Sequence, residues 1–336
     1  MRLRRFTKTI KQLLVFVLPL ALIIGVLSIC SGALIVSFVS SIILPFLVVF
    51  NIIQFLYLLL KRNKTAFYSI GAIVLFFLYF DSFYQYNPTS DLQEQTVSIL
   101  TYNLQGYTSK LKLKEEHKVE VSRFVHQKDV DIVCFQEFSA IEFKRYVKTY
   151  PYWIKSNIDM PLKSVLAVFS KFPIVDNGYI KFDNSINNAM FVDVEINGDI
   201  IRIYNLHLES FRIDSKNQLN KLRHHKFITT RVFRTEASRK AQAILVRNHV
   251  NNFKGKVILA GDFNSTQYSS IYRILKVDRK DTFTEAGNGL GTTFKLFNYP
   301  IKLDHILVDA AFEVVNHENF DIKLSDHEPV LAEIKL

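Results

Sequence analysis

Apolar residues are distributed very unevenly along this chain. From Leu13 to Leu60 no side chain is charged, and a second uncharged apolar stretch runs from Ala66 to Phe80. Roughly 20 apolar residues cross a bilayer as a helix, so the first stretch is long enough for two spans with a turn between them. Ser31-Gly32 and the segment Ser37 to Ser41 are both candidate turns. The pattern predicts about three transmembrane helices, of which the third is short.

Basic residues decide the predicted orientation. A basic N-terminus before an apolar core is also typical of a signal peptide, but this apolar run continues well beyond such a core, and no small-residue cleavage site follows it. The N-terminus and the basic loop at 61–64 should stay in the cytoplasm. Three spans then place everything after residue 82 outside the cell (inner) membrane. If the third segment is only interfacial, the rest of the chain is cytoplasmic.

After a polar, turn-rich linker at 83–95, short β-type runs alternate with helical ones. Strands are predicted at Val97–Tyr102, Asp131–Phe135, Ser164–Phe169, Ala189–Ile196, Ile200–Leu206 and Lys256–Ala260, and near 303–308 and 329–335. Helices are predicted at Glu115–Gln127 and around Thr235–Val250. Interleaved strands and helices indicate an α/β sandwich in one domain of 96–336, preceded by a membrane anchor at 1–82.

The net charge of +11 and the pI near 9.4 would ordinarily suggest an anionic partner. Residues 1–80, however, contain eight Lys and Arg and no Asp or Glu. Removing those eight from the 42 Lys and Arg leaves 34, against 31 Asp and Glu, a net charge of +3. The basic pI is therefore weak evidence for a nucleic-acid partner.

Polar clusters follow the ends of several predicted strands. The segments are Leu100-Thr101-Tyr102-Asn103, Cys134-Phe135-Gln136-Glu137, Tyr204-Asn205-Leu206-His207-Leu208, Gly261-Asp262-Phe263-Asn264, Leu303-Asp304-His305 and Ser325-Asp326-His327. A sheet holds such residues rigidly while leaving them open to solvent. Carboxylate and amide oxygens suit a hard cation such as Mg²⁺, with Glu137 as the natural anchor ligand. Asp262 could accept a proton from an attacking water, and Asn264 could donate to phosphate oxygens.

In these segments the chain resembles the endonuclease/exonuclease/phosphatase superfamily, over essentially all of residues 96–336. The resemblance implies a four-layered α/β sandwich, with two packed mixed sheets flanked by helices, and a Mg²⁺- or Mn²⁺-dependent phosphoester hydrolase. By similarity, the metal ligands are Asn103, Glu137 and Asp326, and the catalytic residues are His207, Asp262, Asn264, Asp304 and His327. In this assignment Asp304 orients and charges His327. His305 is left out of the site.

Two positions depart from the family pattern. Gln105 stands where some relatives carry an acidic metal ligand, which favours one tightly held metal ion. Lys302 stands where arginine is frequent, and keeps the charge without the bidentate fork.

The stretch between Ser210 and Ala241 is unusually cationic. Its basic residues are Arg212, Lys216, Lys221, Arg223, Lys226, Arg231, Arg234, Arg239 and Lys240. It is interpreted either as a solvated basic surface or as a rim of the site. As a rim it could attract phosphate-rich substrates or anionic lipid headgroups, and Arg231 or Arg234 could reach a substrate phosphate.

The sequence thus predicts a membrane-anchored phosphoester hydrolase, a phosphodiesterase above all, that uses in-line attack of water. Its substrate would be a nucleic acid, a phospholipid or a phosphorylated small molecule, and the sequence does not choose among them. The alternative is an inactive membrane receptor or scaffold on the same fold. The intact set of ionisable site residues argues against that alternative.

Overall fold

The computed structural model describes residues 2–88, 96–105, 115–138, 144–156, 164–211, 225–296 and 298–336. The chain divides into two compact units. The first comprises Met1–Phe83 with Tyr268–Ser270, and the second comprises Tyr84–Gln267 with Ile271–Leu336. The first unit therefore contains the apolar N-terminal region, and the second contains the strands.

The first unit contains three helices: α1 (Arg2–Ser31), α2 (Leu34–Leu60) and α3 (Ala66–Tyr79). Helix α1 ends where Gly32 adopts a left-handed conformation, with φ of 70°, which is a common way for helices to stop. The Gly32 N–H donates to the carbonyl of Ile29 at 3.1 Å. The turn therefore lies at Ser31-Gly32, and the other candidate, Ser37 to Ser41, lies inside α2.

Polar side chains of this helical unit bond to its own backbone. Asn51 Nδ2 of α2 donates to the Leu18 carbonyl of α1 at 3.2 Å, and Gln54 Nε2 donates to the Val15 carbonyl at 2.9 Å. Many large apolar side chains are exposed instead, and the most exposed are those of Leu60, Phe67 and Leu78. The unit also buries apolar side chains such as Leu22, Val48 and Phe76, so apolar residues occupy both its interior and its surface.

Among the described residues, α2 alone is long and apolar enough to cross a membrane by length and composition. Within the residues whose side chains are described, Val15–Ser31 of α1 and helix α3 are apolar helical segments of 17 residues or fewer. Three transmembrane helices therefore stay a prediction.

The second unit is built mainly from strands. In chain order its elements are β1 (Val97–Asn103), α4 (Glu115–Gln127), β2 (Ile132–Gln136), β3 (Tyr152–Lys155), β4 (Ala167–Ser170), β5 (Ile174–Lys181), β6 (Asn188–Ile196), β7 (Asp199–His207), α5 (His225–Asn251), β8 (Lys256–Asp262), α6 (Ser270–Lys276), β9 (Lys280–Asp281), α7 (Thr282–Ala286), β10 (Phe294–Leu296), β11 (Tyr299–Ile301), β12 (Asp304–Val308), β13 (Glu313–Asn319) and β14 (Val330–Lys335). The predicted strands and helices are all present, most with small shifts at their ends.

Two six-stranded sheets form the framework, in the orders β13-β14-β1-β2-β4-β3 and β5-β6-β7-β8-β12-β9. Strands β1 and β2 pair in parallel, as do β7 and β8, whereas the other neighbours are antiparallel. Parallel neighbours need a crossover, and α4 lies between β1 and β2 in the chain as α5 lies between β7 and β8. The predicted mixed sheets are confirmed.

The two sheets pack face to face, with a helix on each outer side. Successive residues of a strand point to opposite faces, so Ile99 of β1 shares the inner core with Ile258 of β8. Its neighbour Leu100 packs on the other face with Val121 of α4. On the far side of the second sheet, Val246 of α5 packs against β7 and β8. Helix, sheet, sheet and helix thus follow one another, as the sequence predicts.

Candidate functional site

The predicted site residues gather at one edge of the two sheets. Asn103 ends β1 beside the end of β2, which Glu137 follows. The parallel pairing of β7 with β8 places His207 opposite Asp262. Antiparallel pairing of β8 with β12 places Asp262 opposite Asp304 as well. Five strands from the two sheets therefore bring side chains that are far apart in the sequence to one place.

Asp262 lies at the centre of this arrangement. Its Oδ2 accepts hydrogen bonds from Asn103 Nδ2 at 3.0 Å and from Asn264 Nδ2 at 2.9 Å, and its Oδ1 accepts from the Asn264 N–H at 2.7 Å. The Nε2 atoms of His207 and His327 each lie 3.7 Å from Oδ2. Burial raises the pKa of Asp262, and the neighbouring His327 opposes that rise. A buried carboxylate with a raised pKa is suited to accepting a proton.

The Gly-Asp-Phe-Asn segment owes its shape to two residues. A Cβ at Gly261 would lie 2.1 Å from the Leu206 carbonyl oxygen of β7, and its φ is 143°, so only glycine fits this close approach. Asn264 has φ of 48°, a left-handed conformation that asparagine tolerates better than most residues. This turn brings the Asn264 side chain back onto Asp262, and its Nδ2 also donates to the Leu208 carbonyl at 3.0 Å.

His327 is paired with Asp304, as the sequence suggested. Its Nδ1 lies 2.8 Å from Asp304 Oδ2. Burial alone would lower the pKa of His327, but the carboxylates of Asp304 and Asp262 raise it well above its usual value. Asp304 Oδ1 is buried and has no hydrogen-bond partner among the described residues. The Asp304 carboxylate therefore favours the charged form of the His327 ring.

His207 differs from His327 because its partner is a hydroxyl group. Ser164 Oγ lies 3.2 Å from His207 Nδ1, while Nε2 lies 3.7 Å from both Glu137 Oε1 and Asp262 Oδ2. Ser164 thus orients the ring so that Nε2 faces the two carboxylates. This role could not be predicted from the sequence, since a single serine at the start of an apolar run is uninformative.

A pair of buried amides lies just beneath the site and joins the two sheets. Gln136 Nε2 donates to Thr101 Oγ1 at 2.9 Å and to Asn205 Oδ1 at 2.7 Å. Asn205 Nδ2 donates back across the sheets to the carbonyls of Phe135 and Ala167 at 2.9 and 3.0 Å. The amides hold the strand ends that precede Glu137 and His207. Sequence reasoning missed this role, although both residues stand in segments that it had selected.

The residues predicted to bind metal present oxygen atoms only. Glu137 has a side chain 12% exposed and a left-handed φ of 50°. Asn103 Oδ1 accepts a hydrogen bond from the Gln105 N–H at 3.0 Å, which leaves a second lone pair for a cation. Asp326 is exposed, and the preceding Ser325 donates from Oγ to the Asn103 carbonyl at 2.8 Å. A carboxylate-rich oxygen set fits a hard divalent cation.

A second group could also hold a cation. One ligand atom each of Asp262, Asp304 and His327 lies within 4.8 Å of the others. Here, however, the Asp304 and His327 atoms already face each other at hydrogen-bond distance. Glu137, Asn103 and Asp326 stay the predicted cation ligands.

The basic stretch after His207 is only partly a basic surface. Arg239 and Glu236 are buried on α5, where Arg239 Nη1 lies 2.5 Å from Glu236 Oε1 and Nε donates to the Glu209 carbonyl at 2.6 Å. Arg231 Nη2 donates to the Phe211 carbonyl. The prediction that Arg239 belongs to a solvated or rim surface was wrong, because its buried guanidinium stabilises the backbone after His207. Arg234 is exposed.

Five other members of the basic stretch fall in the part of the chain, or among the side chains, that the structure does not describe. Arg212, Lys216, Lys221 and Arg223 lie outside the described residues, as does the side chain of Lys226.

Lys302 and His305, which flank Leu303-Asp304, belong to a separate buried cluster. Lys302 Nζ bonds both oxygens of Asp281, at 3.0 and 2.9 Å. His305 packs against the rings of Phe263 and Tyr272, and its Nε2 lies 2.9 Å from the Ser265 carbonyl oxygen. The departure from arginine at position 302 therefore concerns this structural pair, and His305 is a packed residue.

Comparison with known proteins supports the likeness seen in the sequence. Residues 100–327 match the family model described as the Endonuclease/Exonuclease/phosphatase family. No curated protein matches the chain. A TDP2 from D. rerio, solved with a single-strand DNA product, is 16% identical with a TM-score of 0.55, over 72% of this chain and 100% of that one.

Two further solved structures are similar to the same extent. A truncated TDP2 from Caenorhabditis elegans is 21% identical with a TM-score of 0.54, over 73% of this chain and 100% of that one. A mannosyl-6-phosphatase from Bacteroides thetaiotaomicron is 18% identical with a TM-score of 0.54, over 71% of this chain and 100% of that one. At these identities the likeness shows the fold.

Proposed function

The chain belongs to the Endonuclease/Exonuclease/phosphatase family, and from that premise we propose that it is a membrane-anchored, divalent-metal-dependent phosphoester hydrolase. The observation that carries the proposal is the set of donors and charges around the buried Asp262 carboxylate. The side-chain amides of Asn103 and Asn264 donate to it, and the rings of His207 and His327 face the same oxygen. Ser164 contacts the other ring nitrogen of His207, and Asp304 contacts that of His327. A fold that needed only stability would not keep so many ionisable groups together in a buried place.

We assign the cation, Mg²⁺ or Mn²⁺, to Asn103, Glu137 and Asp326. Bound there, it supplies neutralisation of the charge on the phosphate oxygens. Gln105 adds no carboxylate to the set, and this favours one cation over two. The buried Gln136–Asn205 amide pair supports the assignment, because it fixes the strand end from which Glu137 projects.

In the proposed reaction, water attacks phosphorus in line with the leaving oxygen. Asp262 orients that water and accepts its proton. Asn264 Nδ2, which donates to Asp262 Oδ2 and to the Leu208 carbonyl, holds the Asp262 carboxylate in position. The Nε2–H groups of His207 and His327 donate to the phosphate oxygens as negative charge grows on them. His327 is suited to this role because Asp304 keeps it charged. Such fixed donors cost little reorganisation during the reaction.

The substrate we propose is a phosphodiester, in a nucleic acid or in a phospholipid. TDP2 from D. rerio was solved with a DNA product, and the fold also serves a mannosyl-6-phosphatase, so phosphorylated small molecules are included in the test. We propose further that residues 1–82 anchor the enzyme in the cell membrane, residues 83–95 link the parts, and residues 96–336 act on the extracytoplasmic side. The exposed apolar faces of the helical unit support the anchor.

The test is hydrolysis by the full-length protein in detergent, with Mg²⁺ or Mn²⁺, on panels of phosphodiesters and phosphomonoesters. We expect turnover that EDTA abolishes and that the double variant Glu137→Ala/His327→Ala lowers by at least about a thousandfold. Salt-sensitive cleavage of DNA would indicate a nuclease, and dependence on vesicle composition would indicate a lipid enzyme. Activity that survives in the double variant would refute the assignment. A wild type inert on every substrate would instead favour the receptor or scaffold.

A further inference from the structure

A short segment just before the sheets is clipped onto a loop of the same unit. Gln85 and Gly289 form an antiparallel bridge in which each N–H donates to the other's carbonyl at 2.9 Å. Two residues further on, the Asn87 N–H donates to Asn288 Oδ1 at 2.9 Å, and Asn87 Nδ2 donates to the Gly287 carbonyl at 2.8 Å. Four hydrogen bonds thus fix residues 85–87 against residues 287–289. We refer to these two segments, with Tyr84 and Leu290, as the aromatic clip.

The clip displays large side chains to the outside. Tyr84 is 56% exposed, Tyr86 is 84% exposed and Leu290 is 50% exposed. In an antiparallel bridge between Gln85 and Gly289, Tyr84 lies across from Leu290 in register, and residues 84 and 86 point to the same face. The three exposed residues therefore lie next to one another on the clip, and they do not lie scattered over the surface.

Glycines fix the backbone that turns Leu290 outward. Gly289 and Gly291 have φ of 78° and 61°, conformations that side chains rarely adopt. A Cβ at Gly291 would lie 2.6 Å from the Phe283 ring, and one at Gly287 would lie 2.3 Å from it. The loop is thus held close to the core on both sides of Leu290. An apolar side chain exposed by so constrained a loop calls for an apolar or amphipathic partner.

From these observations we infer that the aromatic clip is a docking surface for the membrane–water interface. Tyrosine is enriched at that interface because its ring is apolar and its hydroxyl group reaches water. No charged residue occurs from Ser82 to Pro88 or from Ala286 to Phe294, so docking removes no charge from water. Along the chain the clip follows α3 after only the four residues 80–83.

The inference rests on the proposed membrane anchor and adds to it. An anchor alone would leave the enzyme free to sample any orientation at the membrane. A clip that inserts into the interface would hold the domain against the bilayer and restrict the directions in which its site can point. Such an orientation favours substrates held at or near the membrane surface.

The experiment uses the full-length protein in phosphatidylcholine vesicles. Trp153 is the only tryptophan, so a Trp153→Phe background allows one reporter at a time. Tyr86→Trp places the reporter on the clip, and Tyr179→Trp, on the edge strand β5 with 41% exposure, is the matched control. The two fluorescence spectra are compared with and without phosphatidylcholine brominated on its acyl chains near the headgroup.

We expect blue-shifted emission for Tyr86→Trp and quenching at least about threefold greater than for Tyr179→Trp, since an interfacial side chain lies only about 5–10 Å into the boundary. Adding Leu290→Ser should reduce that quenching, whereas Ile200→Ser, at a residue 41% exposed elsewhere on the unit, should not. Equal and weak quenching of both reporters would overturn the inference.

A flotation measurement separates this inference from the anchor on which it rests. Vesicles washed with carbonate are floated, and the protein in them is quantified. Protein that floats but gives no quenching at position 86 keeps its anchor and lacks the docking surface. Protein that carbonate releases has no integral anchor, and the inference then falls together with that part of the proposed function.

Discussion

Two buried acidic clusters lie on neighbouring strands of the second sheet, and they are satisfied very differently. In the structural cluster, Asp281 accepts hydrogen bonds from Lys302 Nζ on both oxygens, from the Tyr272 hydroxyl at 2.6 Å and from the Phe283 N–H at 2.9 Å. Burial would raise the pKa of Asp281, but Lys302, His305 and Tyr272 hold it well below its usual value.

The site cluster around Asp262 and Asp304 is less complete. One oxygen of Asp304 is buried without a hydrogen-bond partner among the described residues, and burial raises the pKa of Asp262. Buried charge is unfavourable unless it is paired and hydrogen-bonded. We therefore expect different roles for the two clusters. The Asp281 cluster should stabilise the fold, and the Asp262 cluster should retain buried, incompletely hydrogen-bonded carboxylates that a reaction can use.

Among the histidines, the largest effect on activity should come from His327 of the site cluster. We expect His327→Ala to lower kcat by about 10²–10⁴-fold, because it removes a fixed cation that faces the phosphate. His249→Ala is the control, since His249 lies against Tyr204 and Phe191 on the outer face of the second sheet. Steady-state kinetics of both variants check the prediction. A His327→Ala variant with wild-type kcat would remove the distinction between the two clusters.

The structural cluster should instead govern stability. Asp281→Ala leaves Lys302 buried without its partner and should lower the free energy of unfolding by about 3–5 kcal/mol. Replacing both residues, as Asp281→Leu with Lys302→Met, should restore much of that loss, because no unpaired charge remains. Chemical denaturation of the three proteins gives the comparison. If Asp281→Ala were as stable as the double variant, an unpaired buried Lys302 would not carry the predicted energetic cost.

Acid should remove the stabilising contribution of the structural cluster. The pKa of Asp281 is lower in the folded state than in the unfolded chain, so its contribution is present above the unfolded value, near about 4, and is lost as the pH falls towards the folded value. Unfolding measured from pH 6 down to pH 3 should show this loss in the wild type. The Asp281→Leu/Lys302→Met variant should have a shallower acid dependence, and an identical profile would contradict the account.

The smallest effect should come from Ser164. Ser164→Ala removes the hydroxyl that orients His207 and should reduce kcat by about three- to tenfold, the value of one neutral hydrogen bond, with little change in KM. Ser164→Thr keeps the hydroxyl and should retain more of the activity. A fall in KM alone, or equal loss in both variants, would argue against an orienting role.

How far the sequence could predict this molecule depended on how local each signal was. Gly-Asp-Phe-Asn and Ser-Asp-His are continuous segments that carry the family resemblance, so Asp262 and His327 could be found from the sequence. The amide pair of Gln136 and Asn205 joins residues 69 positions apart, and no local pattern announces it.

The same holds for the charges that turned out to be structural. Arg239 looked like one cation in a basic run, yet it is buried against Glu236 one turn away on α5. Lys302 looked like a substitution near the site, yet its partner is Asp281 on strand β9. Burial, which decides whether a charge binds substrate or stabilises the fold, follows from tertiary packing that a single sequence does not display.

The most direct test of the central claim is the turnover of a phosphodiester by Asp262→Asn and by Asp281→Asn, each expressed per folded molecule of full-length protein with Mg²⁺. The account predicts that Asp262→Asn loses at least about a thousandfold in kcat while its unfolding midpoint stays close to the wild type. Asp281→Asn should be less stable and keep most of its kcat. Substantial turnover by Asp262→Asn, or an equal loss in both variants, would contradict the account.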